Sequence, residues 1–217
     1  MTSIGDKYDD IAVWWNARHL DSEYGIAPFE KALSYFRSSE ALATESLATE
    51  TLATEDLPSA SALDIGCGSG GRFIRRLETH NFAVTGIDAS AKMIDLAQDN
   101  HPRSKFIHAD ICDWEDQDSY DFILAWDSLF HLPLCQQKPV LSKLCTWLNK
   151  GGILFYSFGD DIGEHEGERW RGHDFTYSSI GIAENLSILM AAGLCPLHLE
   201  RDQFPEKHAY IIAMKSA

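Results

Sequence analysis

The apolar positions divide the chain into three regions. Over 6–38, Tyr8, Ile11, Ala12 and Trp15 fall at i, i+3, i+4 and i+7, and Phe29, Ala32, Leu33 and Phe36 repeat the spacing. That periodicity predicts two amphipathic helices, each with one apolar face. Asp21 and Ser22 lie between them, and either is a candidate cap for the second. From residue 60 onward, short apolar runs alternate with helical patterns. Runs at 62–65, 83–87, 105–108, 120–125 and 153–158 predict strands. Phe73, Ile74 and Leu77, then Met93, Ile94 and Ala97, then Val140, Leu141, Leu144 and Leu148 give the intervening helices their buried sides, and Asn149 to Gly152 stops the last of these. A helix over 182–192 ends at Gly193. Two strand-like runs, 195–201 and 209–214, close the chain across a hairpin-like connection at 203–206. Alternating strands and helices followed by a terminal strand pair predict a doubly wound α/β sheet with one antiparallel strand.

Between the helices and the sheet, the tetrapeptide LATE recurs at Leu42, Leu47 and Leu52. A five-residue period advances about 140° per copy on a helix, so these leucines form no single stripe. The segment reads as a partly helical insertion ahead of the core in preference to a partner-binding arm. The predicted organisation is therefore a helical cover over 1–40, a repeat insertion over 41–58 and an α/β domain over 59–217.

Composition narrows the function classes. A chain of 217 residues, 45% hydrophobic, supports one sizeable core. No apolar run reaches the roughly eighteen residues of a membrane span. The beginning, MTSIGDKYDD, has no apolar h-region, so a cytoplasmic protein is expected. Five scattered cysteines without a CxxC pair argue against a disulfide framework or a zinc site. A formal charge of −15 opposes a nucleic-acid partner, because affinity for phosphate backbones comes from Lys and Arg.

The segment DIGCGSGG, at 64–71, follows a strand and opens a helix. Glycine there lets the backbone turn tightly and approach a ligand. Gly66, Gly68 and Gly71 satisfy the GxGxxG dinucleotide pattern, while Asp64, Gly66, Gly68 and Gly70 satisfy DxGxGxG, so the loop alone leaves the cofactor open. Asp88 ends the next strand about twenty residues on, where an acid accepts ribose hydroxyls. A plain strand-end turn residue is the other reading of Asp88, and a helix cap that of Asp110.

Five motifs occur in order: LDIGCGSGG from Leu63, GIDAS with Asp88, HADICDW with Asp110, YDFILAWDSLFHL, and LNKGGILFYSF. Through them the chain resembles the class I S-adenosylmethionine-dependent methyltransferases of small-molecule type over about 60–217. The resemblance implies a seven-stranded sheet of order 3-2-1-4-5-7-6 with the last strand antiparallel. It also implies S-adenosylmethionine as cofactor, S-adenosylhomocysteine as product and a small-molecule acceptor. Asp64 and the backbone of Gly66, Cys67, Gly68 and Gly70 would face the methionyl part, and the Trp126 carbonyl the ammonium. Asp88 and Ala89 would meet the ribose, Met93 the adenine face, and Asp110 with the Ile111 backbone the adenine edge. Aminopropyl transfer, or a cofactor-binding regulatory or scaffold protein without acceptor chemistry, remain alternatives. A nicotinamide oxidoreductase accounts for Asp88 but not for Asp64, Asp110 and the terminal strand pair together.

Candidate chemistry lies beyond the strand ends. Asp127 and His131 are four apart, so on a helical turn they share a face. His131 is a candidate general base, with a packed histidine satisfied by Asp127 as the other reading. The segment 159–177 is too long for a routine strand-to-helix link and reads as a substrate loop. In it His165, Trp170, His173 and Tyr177 are acceptor-pocket candidates; Glu164, His165 and Glu166 lack the spacing of a metal site, and none is expected. The resemblance implies an aromatic N-terminal helix over the cofactor. Tyr8, Trp14 and Trp15 fit that cover; Tyr8 and Trp15 are equally readable as packing on the core, which makes Trp14, beside the apolar stripe, the better cover candidate. His208, ahead of the last strand, is near the same sheet end and is equally readable as structural.

Overall fold

The structure, a computed structural model, describes residues 3–46, 60–167 and 169–216, without the side chains of 39–46. Two helices, α1 (Ile4–His19) and α2 (Ile26–Ser46), precede the sheet. Ser3 opens α1 with a capping box: its hydroxyl accepts the Asp6 N–H while the Asp6 carboxylate accepts the Ser3 N–H. Neither Asp21 nor Ser22 caps α2. Asp21 pairs with Arg75 and the Ser22 hydroxyl accepts the Tyr24 N–H, while the first α2 amide reaches the Glu23 carbonyl.

The sheet follows as β1 (Ala60–Ile65), α3 (Arg72–Thr79), β2 (Phe82–Asp88), α4 (Ala91–Asn100), β3 (Lys105–His108) and β4 (Tyr120–Ala125). Next come a 3-10 turn (Leu129–His131), α5 (Leu134–Trp147), β5 (Leu148–Gly159), β6 (Ile162–Glu166) and β7 (Thr176–Ile180). The chain closes with α6 (Gly181–Ala191), β8 (Leu194–Glu200) and β9 (His208–Lys215). Seven strands form one sheet in the order β3-β2-β1-β4-β5-β9-β8. All pairs are parallel until β9, which runs antiparallel to both β5 and β8. This is the order expected from the resemblance, with β8 and β9 as its last two strands. What the sequence pattern did not predict is a separate two-stranded hairpin, β6 with β7, inside the segment expected to be a loop. Its alternation is masked because β6 is mostly exposed and charged.

Alternation along the strands sorts side chains onto two faces. Phe122 and Leu124 point to one core with Phe29, Ala32, Leu33 and Phe36 of α2 and Phe73, Ile74 and Leu77 of α3. Ile123 and Ala125 point to the other, with Val140, Leu141 and Leu144 of α5 and Leu189 of α6. Each large side chain so buried contributes about 1.5–3 kcal/mol. Thus α2 is a packed layer of the sheet, and α1 is left to lie across its carboxyl-end edge. The backbone of 41–46 continues α2, and the rest of the repeat insertion expected over 41–58 falls outside the described residues. No helix among the described residues is long and apolar enough to cross a membrane.

Candidate functional site

A cleft of about 1170 Å³, counting its open mouth, lies at the carboxyl ends of β1, β2 and β4 under α1. Its floor is the glycine loop, tied down by Ile87, whose carbonyl accepts the N–H groups of Gly66 and Cys67 at 2.8 and 3.0 Å. Two glycines are sterically required there. Gly66 (φ 72°) has Ser128 where a Cβ would stand, and a Cβ on Gly68 (φ 55°) would come within 3.2 Å of Trp15 Nε1. All eleven residues expected to meet the cofactor line this cleft: Asp64, Gly66, Cys67, Gly68, Gly70, Asp88, Ala89, Met93, Asp110, Ile111 and Trp126.

Its electrostatics are unusual for an acidic surface. Asp64 is only 4% exposed. Burial, with the nearby Asp88 charge adding to it, pushes its carboxyl up to about 8. Burial raises Asp88 to about 6 although its carboxylate accepts the Ser90 and Gly68 N–H groups, both at 2.8 Å. Against these acids stand buried polar atoms with no hydrogen-bond partner: His19 Nδ1, Trp126 Nε1, Ser128 Oγ and His131 Nδ1, all on residues that line the cleft. The guanidinium of Arg72 completes this lining and donates to the Tyr24 carbonyl. Buried polar groups are almost always paired in folded proteins, so a group of orphans around one cleft marks where a polar ligand would go.

A second cavity opens beside the first, lined by Tyr8, Trp15, Asp127, Phe130, His131, Arg169, Trp170, Phe175 and Tyr177. It unites Tyr8, Trp170, Tyr177, His131 and Asp127 of the sequence candidates. Three others are corrected. Trp14 turns away from both cavities to meet Trp170 edge-on at 5.4 Å, with Arg171 stacked 3.5 Å above it. The cleft face of α1 carries Ile4, Tyr8, Trp15 and His19, and Trp14 lies about 100° round the helix from Trp15. His165 stands on β6 and pairs with Asp161 at 2.8 Å. His173 pairs with Asp10 at 3.4 Å and lines neither cavity. The spacing in sequence left Trp15 ambiguous, and gave no signal for His19, Ser128, Phe130, Arg169 or Phe175.

Asp127 and His131 do not form the pair that helical spacing suggested. Asp127 adopts φ 52°, which breaks the helical run before the 3-10 turn. Its carboxylate oxygen Oδ1 meets His208 Nε2 at 3.0 Å and accepts the Ser157 hydroxyl at 3.2 Å, and His208 Nδ1 meets Asp202 at 2.6 Å. Burial alone would lower the His208 pKa, but the hydrogen bonds to Asp127 and Asp202 outweigh it and raise it. His131 Nε2 instead meets the Tyr8 hydroxyl at 2.9 Å, and burial lowers its pKa to about 4. A neutral imidazole of such low basicity is a poor general base near pH 7. Among the described residues no group of three or more His, Cys, Asp or Glu is placed to hold a metal ion.

Residues 62–152 match the family described as methyltransferase domain. A trans-aconitate 2-methyltransferase from Rhizobium etli is 29% identical over 104 residues, covering 48% of this chain and 40% of its own length. The chain thus spans less than half the length of the curated relatives it matches. Magnesium protoporphyrin IX methyltransferase from Synechocystis, solved with bound SAM, superposes with a TM-score of 0.64 at 18% identity, covering 98% of this chain and 95% of its own. The 1,6-didemethyltoxoflavin-N1-methyltransferase of Burkholderia thailandensis, solved with its substrate and S-adenosylhomocysteine, gives 0.56 at 20% identity, covering 84% and 79%. The chain therefore has the class I S-adenosylmethionine-dependent methyltransferase fold, and residues 62–152 within it match a methyltransferase-domain family.

Proposed function

We propose that this chain transfers a methyl group from S-adenosylmethionine to a small-molecule acceptor. The observation that carries the reading is the convergence of Asp64, Asp88 and Asp110, from the ends of three successive strands, with the glycine loop on one cleft. A zwitterionic nucleoside cofactor fits its chemistry. Asp64 complements an ammonium, and Arg72 with the unpaired His19 Nδ1 and Trp126 Nε1 offers donors for a carboxylate. Asp88 accepts from ribose hydroxyls, and Met93 packs against the base. The donor set favours a cofactor with its carboxylate intact, which weighs against aminopropyl transfer from a decarboxylated one.

Bound S-adenosylmethionine supplies an electrophilic methyl carbon. The chain supplies orientation and exclusion of water: α1 roofs the cleft with Tyr8 and Trp15, and the second cavity adjoins it across Asp127 and His131, which line both. The second cavity is the acceptor site in this reading. The matching relatives act on small molecules, trans-aconitate and 1,6-didemethyltoxoflavin by their names.

Titration calorimetry with S-adenosylmethionine, S-adenosylhomocysteine and NADH tests the reading. Binding of the first two, lost by at least about tenfold in Asp88→Ala, is expected from the loss of a buried charge-assisted hydrogen bond. Heat with NADH alone would return the glycine loop to its dinucleotide interpretation. Release of S-adenosylhomocysteine across a metabolite panel then separates an enzyme from a scaffold.

A further inference from the structure

The second cavity has a chemistry of its own. Seven of its residues present rings: Tyr8, Trp15, Phe130, His131, Trp170, Phe175 and Tyr177. They contact one another at centroid separations from 4.9 to 5.7 Å, edge-on or tilted. At the boundary with the cofactor cleft stands Asp127, its Oδ1 fixed by His208 and Ser157. Two of these rings already have cations beside them: Arg171 lies 5.7 Å from the Trp170 ring and Lys7 5.6 Å from Phe175. Aromatic rings beside a carboxylate are chemistry that holds an ammonium, and the one cation of the lining, Arg169, donates to the Gly172 carbonyl at 2.9 Å. Neither His131, the candidate base, nor Tyr8, whose hydroxyl it meets at 2.9 Å, is suited to take a proton from an alcohol or phenol. His131 is held neutral with a pKa of about 4, and burial raises the Tyr8 phenol far above its ordinary value.

We infer that the acceptor is an amine, received in this aromatic cage with its nitrogen beside Asp127. The inference rests on the proposed methyl transfer and names its substrate class. The amine, held as its ammonium, reacts as the free base once that proton has passed to solvent. Its lone pair forms the new N–CH₃ bond as the S–CH₃ bond breaks, and the bonding pair of the latter stays on sulfur, which becomes a neutral thioether. Positive charge passes from sulfur to nitrogen, so no strong base is needed. For a primary or secondary amine the product is an ammonium, which carries its surplus N–H proton away and releases it to solvent. The aromatic faces and Asp127 match the charge as it moves, which is stabilisation of the transition state and not of the reactant alone. Asp127 touches the reacting nitrogen; His208 is a positioning residue that holds the carboxylate.

The test is binding, not turnover. Protein saturated with S-adenosylhomocysteine is titrated with phenethylamine, 3-phenylpropan-1-ol and 3-phenylpropionate, following heat and tryptophan fluorescence. The amine is expected to bind about tenfold or more tighter than the alcohol, as a desolvated cation–π contact with a nearby carboxylate implies. Asp127→Asn should remove most of that preference while the alcohol is unaffected. Tyr177→Leu, which keeps the apolar bulk and removes a π face, should weaken the amine several-fold more than the alcohol. An unchanged circular-dichroism spectrum and a cooperative melting transition show that each variant is folded. Equal binding of the three probes, preference for the carboxylate, or no binding of any overturns the inference and leaves methyl transfer standing. Absence of S-adenosylhomocysteine binding to the wild type overturns both.

Discussion

Asp64 is an acid placed where the fold without ligand would rather have none. Its ordinary value is 3.8 and its folded value about 8, so between those pH values the unfolded chain is ionised while the folded one keeps its proton. The stability it contributes is full below about pH 4 and is lost as pH rises towards 8. Asp64→Asn should therefore stabilise the ligand-free protein at pH 8, by about 1–3 kcal/mol or roughly 3–10 °C in Tm, and by little at pH 4. The same change should weaken cofactor binding, since the ammonium loses its counter-charge. A melting-temperature difference that does not vary with pH would remove this account. The residue types at this site were legible because each answers a local need: glycine for positive φ, an acid at a strand end. Tyr8, His131 and Asp127 were legible as candidates only. Their partners, 123 residues away for Tyr8 with His131 and 81 for Asp127 with His208, carry no mark in the sequence.

Among the elements, α1 decides how the cleft is closed. It docks on the start of α4: the Asp9 carboxylate accepts the Ser90 hydroxyl at 2.5 Å and the Lys92 N–H at 3.0 Å, while Ser90 itself caps α4 by accepting the Met93 N–H. Gly5 allows that approach, because a Cβ there would run into the Ala89 carbonyl. Gly5→Val should lift α1 from the strand-end edge and cost about tenfold or more in S-adenosylhomocysteine affinity, the equivalent of about 1.4 kcal/mol. Calorimetry reads the affinity, and hydrogen exchange of 4–19 reads the docking. The amides of β1 and β4 should keep their protection, because their cores do not depend on α1. Full affinity in that variant would show the cleft to be roofed by something other than α1. The helix itself was visible in its periodicity, but its rotation was not. A stripe of Tyr8, Ile11, Ala12 and Trp15 names one face, and only contact shows Ile11 and Ala12 buried while Tyr8 and Trp15 line the cavities. The β6–β7 hairpin escaped for another reason. Its β6 strand is exposed and charged, so its pairing rests on backbone bonds to β7 and not on a buried apolar face.

For the whole molecule, a ligand that binds only the folded chain must raise its stability by mass action. S-adenosylhomocysteine at one hundred times its dissociation constant should add about 2.7 kcal/mol, a rise in Tm of roughly 5–10 °C for a chain of this size. Asp88→Ala, with its loss of about tenfold or more in affinity, should cut the rise at the same concentration to about half or less. A wild-type Tm indifferent to the ligand would argue against the cleft as its site. The strands of the sheet, its terminal antiparallel pair and eleven of the residues that line the cleft were legible in the sequence, because strand alternation, glycine turns and strand-end acids are set by neighbours a few residues apart. The tertiary structure alone decided that α2 is a layer of the core, that Trp15 and not Trp14 faces the cleft, and that Asp127 answers to His208. Each of these depends on the angle at which one finished element meets another, and that angle is fixed by packing across long sequence separations.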